Sequence, residues 1–175
     1  MKIWPGLLGA ALLLAGWSNP APVEKFAGAG PQFDPVVFFR GRAHSWGVLE
    51  NRSGQPTDIV RTETSGEAEG ADGLHMMQTL YVGSDAPQQR EWHMRRTGPG
   101  TFEATANDMV GTAIGTAAGP AFHWQWTLAT APGNDLKNVV MDQWMYLYDD
   151  GSMMNRTTVR KLGIVLIEVS ERFVH

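Results

Sequence analysis

The 175-residue chain contains no cysteine, which excludes disulfides, thiol catalysis and zinc–thiolate sites. It has no long run of charge: 18 acidic and 14 basic residues are interspersed, for a formal net charge of -4. Without a basic stripe to follow phosphates, no nucleic-acid partner is expected. Long runs of strong helix formers and any βαβ periodicity are missing as well. What the chain has instead is 20 Gly, 10 Pro and 7 Trp, a composition that favours strands joined by turns. Its length suits one domain with a real core.

The N-terminus follows the grammar of an export signal. Lys2 supplies a positive start and Ile3 to Ala15 is almost wholly apolar, too short for a transmembrane helix of about 20 residues. Leu14-Ala15-Gly16 matches the three positions before the lipidated cysteine of a bacterial lipoprotein signal, but Trp17 stands at the cysteine position and has no thiol to carry a lipid. Three readings remain open: cleavage by the ordinary signal peptidase, an uncut N-terminal tether, or a change at one codon. Residues 1–17 are therefore read as a signal peptide or uncleaved anchor. Residues 18–32, rich in Pro and Gly, read as a flexible linker, and 33–175 as the folded domain.

Asp34-Pro35 offers a helix N-cap followed by proline at the first helical position, so one short turn is expected over 34–40. Beyond Gly41 the chain breaks into strand-length segments at Gly, Pro, Asn and Asp. These run 41–50, 57–69, 74–82, 88–97, 101–107, 110–118, 121–130, 136–149, 152–160 and 164–174. Alternation is clearest where Phe122, Trp124, Trp126 and Leu128 share one face and His123, Gln125 and Thr127 the other. The strand after it carries bulk on both faces. Glycines at 111, 115 and 119 suit a bent strand or a close neighbour. Short hairpins and glycine corners point to an all-β, antiparallel up-and-down barrel of about 8–10 strands, with an open sandwich as the alternative.

FFRGRAHSWGVLENRSG (38–54), MVGTAIGTAAGPAFHWQW (109–126), DQWMYLYDD (142–150) and NRTTVRKLGI (155–164) occur in an order and spacing that resembles the domain-of-unknown-function 3833 family of bacterial envelope lipoproteins. The resemblance spans about residues 26–173. It implies a lipocalin-like (calycin-type) barrel at the cell envelope, on the periplasmic side, and offers no established catalytic residue to carry over. Trp17 departs from the family at the anchor. A barrel of this kind also implies a cation–π closure of Trp46 by Arg156.

No catalytic residue is expected. Ser45, within Ala43-His44-Ser45-Trp46-Gly47, lacks the strand-to-helix turn that a nucleophile elbow requires. No two histidines are spaced as local metal ligands, so neither a metal nor a cofactor is expected. His93 and His123 read as surface residues, as do Glu63, Glu67 and Glu69. The constellation of interest is Trp46, Trp92, Trp126, Trp144 and Met145 with Asn155 and Arg156. Its plain reading is core. Its functional reading is a cavity of flat aromatics and adaptable thioethers that binds a hydrophobic small molecule such as a lipid. The expectation is thus an exported, envelope-associated, noncatalytic carrier, soluble or tethered to the membrane through its N-terminus. The alternatives are an enzyme acting on a lipid or hydrophobic metabolite in the barrel mouth, and an envelope scaffold.

Overall fold

A computed structural model describes residues 22–130 and 133–175; the export segment and Trp17 lie outside the described residues. A 3-10 turn over Val23–Phe26 and a one-turn helix α1 (Pro35–Phe38) precede ten strands. They are β1 (Gly41–Asn51), β2 (Pro56–Glu69), β3 (Gly73–Val82), β4 (Gln88–Gly98), β5 (Thr101–Ala106), β6 (Met109–Ala118), β7 (Ala121–Ala129), β8 (Asn138–Leu147), β9 (Met153–Lys161) and β10 (Ile164–Val174). Each strand pairs antiparallel with its sequence neighbour, and β1 pairs with β10 from His44↔Val174 to Asn51↔Ile167, closing the barrel. Closure removes the sheet's edges, and the open-sandwich alternative does not hold.

Parity decides what points inward. On β7, Phe122, Trp124 and Trp126 are buried and meet Phe102 and Trp92 across the interior. Gly115 on β6 faces the same space, and a Cβ there would sit 2.3 Å from the Phe122 ring. The missing side chain is what seats that ring. The register of β6 with β7 shifts between Val110 and Ile114, at Gly111 with φ 76, which is the expected bend.

One end of the barrel is plugged. Asp34 caps α1, its Oδ1 accepting from Val37 N at 3.1 Å, and Pro35 holds the first turn. The Arg96 guanidinium donates to Asp34 Oδ2 at 2.6 Å, tying α1 to the end of β4, and this bond raises the Arg96 pKa. Phe33, Val36, Phe38 and Phe39 then join one buried cluster with Leu74, Phe102 and Phe173. At the opposite end, where β9 turns into β10, Leu162 is 92% exposed. No helix among the described residues is long and apolar enough to cross a membrane.

The stretch expected to be a flexible linker is folded onto the barrel from Val23 onward. Val23 is buried, and the Phe26 ring lies 5.8 Å from Tyr146 and 6.4 Å from Trp144. The Phe33 N–H donates to the Gly119 carbonyl at 2.8 Å. The apolar outer face of β8 gives this segment something to cover.

Candidate ligand-binding cavity

Along β1 the inward residues are Ala43, Ser45 and Gly47, and along β10 they include Glu171 and Phe173. Glu171 is 7% exposed and accepts three hydrogen bonds. Ser45 Oγ donates to its Oε1 at 2.6 Å, Thr62 Oγ1 to the same oxygen at 2.8 Å, and Asn155 Nδ2 to Oε2 at 3.3 Å. Ser45 is thus spent on orienting a carboxylate, and no histidine among the described residues shares a hydrogen bond with its hydroxyl to act as base.

The polar arc continues around the wall. Asn155 Nδ2 also approaches Thr157 Oγ1 at 3.3 Å, and Gln143 Nε2 donates to that hydroxyl at 2.9 Å. Gln143 Oε1 accepts the indole N–H of Trp124 at 2.8 Å and of Trp126 at 2.6 Å. Trp92 donates to Gln78 Oε1 at 2.7 Å. Every buried indole nitrogen here has an acceptor, which locks the rings in place. Trp92 and Trp124 stack with centroids 5.2 Å apart and planes at 19°. Arg90, 6% exposed, lies over Trp126 with its guanidinium carbon 4.9 Å from the ring centroid, and Asp108 holds it through both carboxylate oxygens at 2.8 Å.

Between these walls is a cavity of about 50 Å³. Phe39 and Phe173 line it toward the plugged end and Leu80 and Arg90 toward the other. Met76, Met94 and Met145 complete the apolar side, and Asn155, Thr62 and Glu171 the polar side. The space suits a few waters; a larger guest requires the walls to give.

Of the residues singled out from the sequence, Trp92, Met145 and Asn155 line this cavity, and Trp126 packs on Trp92 at its edge. Trp46, Trp144 and Arg156 do not. They lie on the outer face, because the inward set of β1 is 43, 45 and 47, and that of β8 and β9 is the odd-numbered one. Trp46 is 58% exposed, in register with Arg61 and Arg172. The cation–π closure of Trp46 by Arg156 does not form: β10 runs between their strands, and Arg156 donates to Glu168 at 3.0 Å. Trp144 stacks on His123, centroids 4.3 Å apart, and His123 Nε2 meets Asp142 Oδ1 at 2.9 Å, so this histidine is packed and paired rather than simply solvated. Glu171, Thr62 and Arg90 lie in none of the four blocks quoted above, and Gln143 lies in one, DQWMYLYDD, without being singled out; the signal for each is that it shares parity with an apolar neighbour on its strand.

Sequence spacing offers no metal ligands, yet His75 and His93 are cross-strand partners on the outer face of β3 and β4. With Glu91 they form a donor set whose ligand atoms lie within 4.8 Å of one another. Two imidazoles and a carboxylate suit a zinc-like divalent ion. Here the rings stack 4.8 Å apart, and each histidine meets a glutamate, His75 at Glu91 and His93 at Glu69.

A family model described as "Protein of unknown function (DUF3833)" matches residues 11–174. The chain belongs to the DUF3833 family. No curated protein matches it. Two solved structures share the barrel of this DUF3833 protein. The S-type phycobiliprotein lyase CPES from Guillardia theta is 10% identical with a TM-score of 0.60, covering 80% of this chain and 89% of that one. Rv2717c from M. tuberculosis is 15% identical with a TM-score of 0.57, covering 81% and 97%. At such identities the likeness is one of fold, a lipocalin-like, calycin-type barrel.

Proposed function

We propose that this DUF3833 protein is an exported, envelope-associated barrel that binds a hydrophobic small molecule such as a lipid in its interior, without catalysing a reaction on it. The carrying observation is the cavity itself, which has an aromatic and thioether wall opposite a hydrogen-bonded polar arc. That division suits a ligand with an apolar body and a polar head. The export signal read at residues 2–16 supports the location.

The small cavity sets a condition. A ligand of ten or more heavy atoms needs the methionines to change rotamer and the stacked indoles to separate. Met side chains adapt readily. Separating one aromatic pair costs about 1 kcal/mol, while each methylene brought out of water contributes about 0.8 kcal/mol. Two methylenes offset the stacking loss alone; the indole hydrogen bonds to Gln78 and Gln143 and the freedom lost on association add to the cost, so opening needs an alkyl chain of many methylenes.

Native mass spectrometry of protein purified from its own envelope tests the proposal. The expected spectrum shows a bound molecule at one per chain, released on unfolding. Ligand-free protein that also takes up no added lipid would overturn it. A second reading, chemistry on the bound molecule, rests on Glu171, a carboxylate in the cavity wall; turnover of a bound lipid that Glu171→Gln abolishes would favour it over carriage.

A further inference from the structure

The polar arc has one open point. Asn155 is 4% exposed, lines the cavity, and its Oδ1 has no hydrogen-bond partner among the described residues. The amide cannot simply turn over. Its Nδ2 faces Glu171 Oε2 at 3.3 Å, and a flipped amide would set oxygen against carboxylate oxygen. Glu171 therefore dictates where the unpartnered carbonyl points.

Glu171 is itself incompletely compensated. Its three recorded donors, Ser45, Thr62 and Asn155, are neutral. None of the ion pairs among the described residues includes it. Arg90, the cation lining the same cavity, is engaged by Asp108 through Nε and a terminal nitrogen, all at 2.8 Å. Burying a carboxylate among neutral partners is costly, and a donor that carries positive charge offsets that cost. A free acceptor beside it takes an additional N–H.

We infer that the cavity selects an amphiphile with a protonated amine head, its N–H groups donating to Asn155 Oδ1 and Glu171 and its apolar body lying against Trp92, Trp124 and Met145. This rests on the reading that the barrel interior binds small apolar molecules. A carboxylate-headed amphiphile is disfavoured, because its charge would face Glu171. An alcohol supplies a single donor and no charge.

The test is calorimetric titration of the full protein near neutral pH with dodecylamine and dodecanoate below their micelle concentrations and dodecanol below its solubility limit. Dodecylamine is expected to bind at least about tenfold tighter than dodecanoate. Glu171→Gln is expected to bring the two within roughly twofold of each other. Where Glu171→Gln is not folded by circular dichroism, Asn155→Leu serves, with loss of the amine's advantage over dodecanol as its readout. Equal binding of all three probes to the unaltered protein would overturn the inference, the polar arc then holding only water, and would leave the binding reading intact. Failure of all three to bind would overturn both.

Discussion

Gly47 and Glu171 oppose each other in the β1–β10 ladder, and their sizes are complementary. A Cβ on Gly47 would lie 2.2 Å from the Ser170 carbonyl oxygen and 2.6 Å from Glu171 Cγ. The absent side chain is what lets the carboxylate turn inward to Ser45 and Thr62. Gly47→Ala is expected to lower stability by about 1–3 kcal/mol through overpacking, read as an earlier urea midpoint, and to weaken amine selectivity in the titration above. An unchanged midpoint with unchanged selectivity would contradict this account of the pair. Single residues are also where the sequence was least legible. Alternation shows that Trp124 and Trp126 share a face; it does not show which face of β1 or β8 turns inward, and Trp46 and Trp144 turn outward. On β10 the same parity joins Val169, Glu171 and Phe173, but a glutamate in that row announces burial only once Ser45, Thr62 and Asn155 are known to converge on it.

At the scale of elements the sequence is far more legible. Turn residues mark every hairpin, so all ten strands fall within about two residues of their expected bounds. The N-terminal stretch shows why composition misleads. Pro and Gly in 18–32 suggest looseness, yet Gly28 and Gly30, with φ 78 and 53, shape a path across the barrel wall, and Phe26 lands on Trp144 and Tyr146. Burial there raises the Tyr146 pKa above its ordinary 10.0. The folded state thus holds this proton more tightly than the unfolded chain does. Stability from the neutral phenol is full below the ordinary value and is lost as pH rises through the folded one. Phe26→Ala is expected to cost about 1–2 kcal/mol, since the ring is only half-buried. It should also shift phenolate absorbance attributable to Tyr146 to lower pH, with Tyr146→Phe as the reference. A phenolate titration that does not move would show that the segment leaves Tyr146 uncovered.

For the whole molecule, closure and plugging together make the proposed function possible. Ten strands joined edge to edge leave no sheet edge open, and α1 with its aromatic neighbours seals one end. An interior of that size is filled by side chains except at the centre, where three methionines and two stacked indoles border the cavity. The barrel was legible from hairpin spacing and alternation, because those patterns are local. The cavity was not, because its walls come from residues far apart in sequence and meet only when β1 joins β10. The central claim, that a ligand occupies this interior, is tested most directly by nuclear magnetic resonance on protein carrying isotopically labelled methionine methyls and saturated with dodecylamine or dodecanol. The account predicts contacts from the alkyl chain to the methyls of Met76, Met94 and Met145, and none to Met77, which is 40% exposed on the outer face. Contacts confined to Met77, or no contact with any interior methyl at saturation, would contradict it.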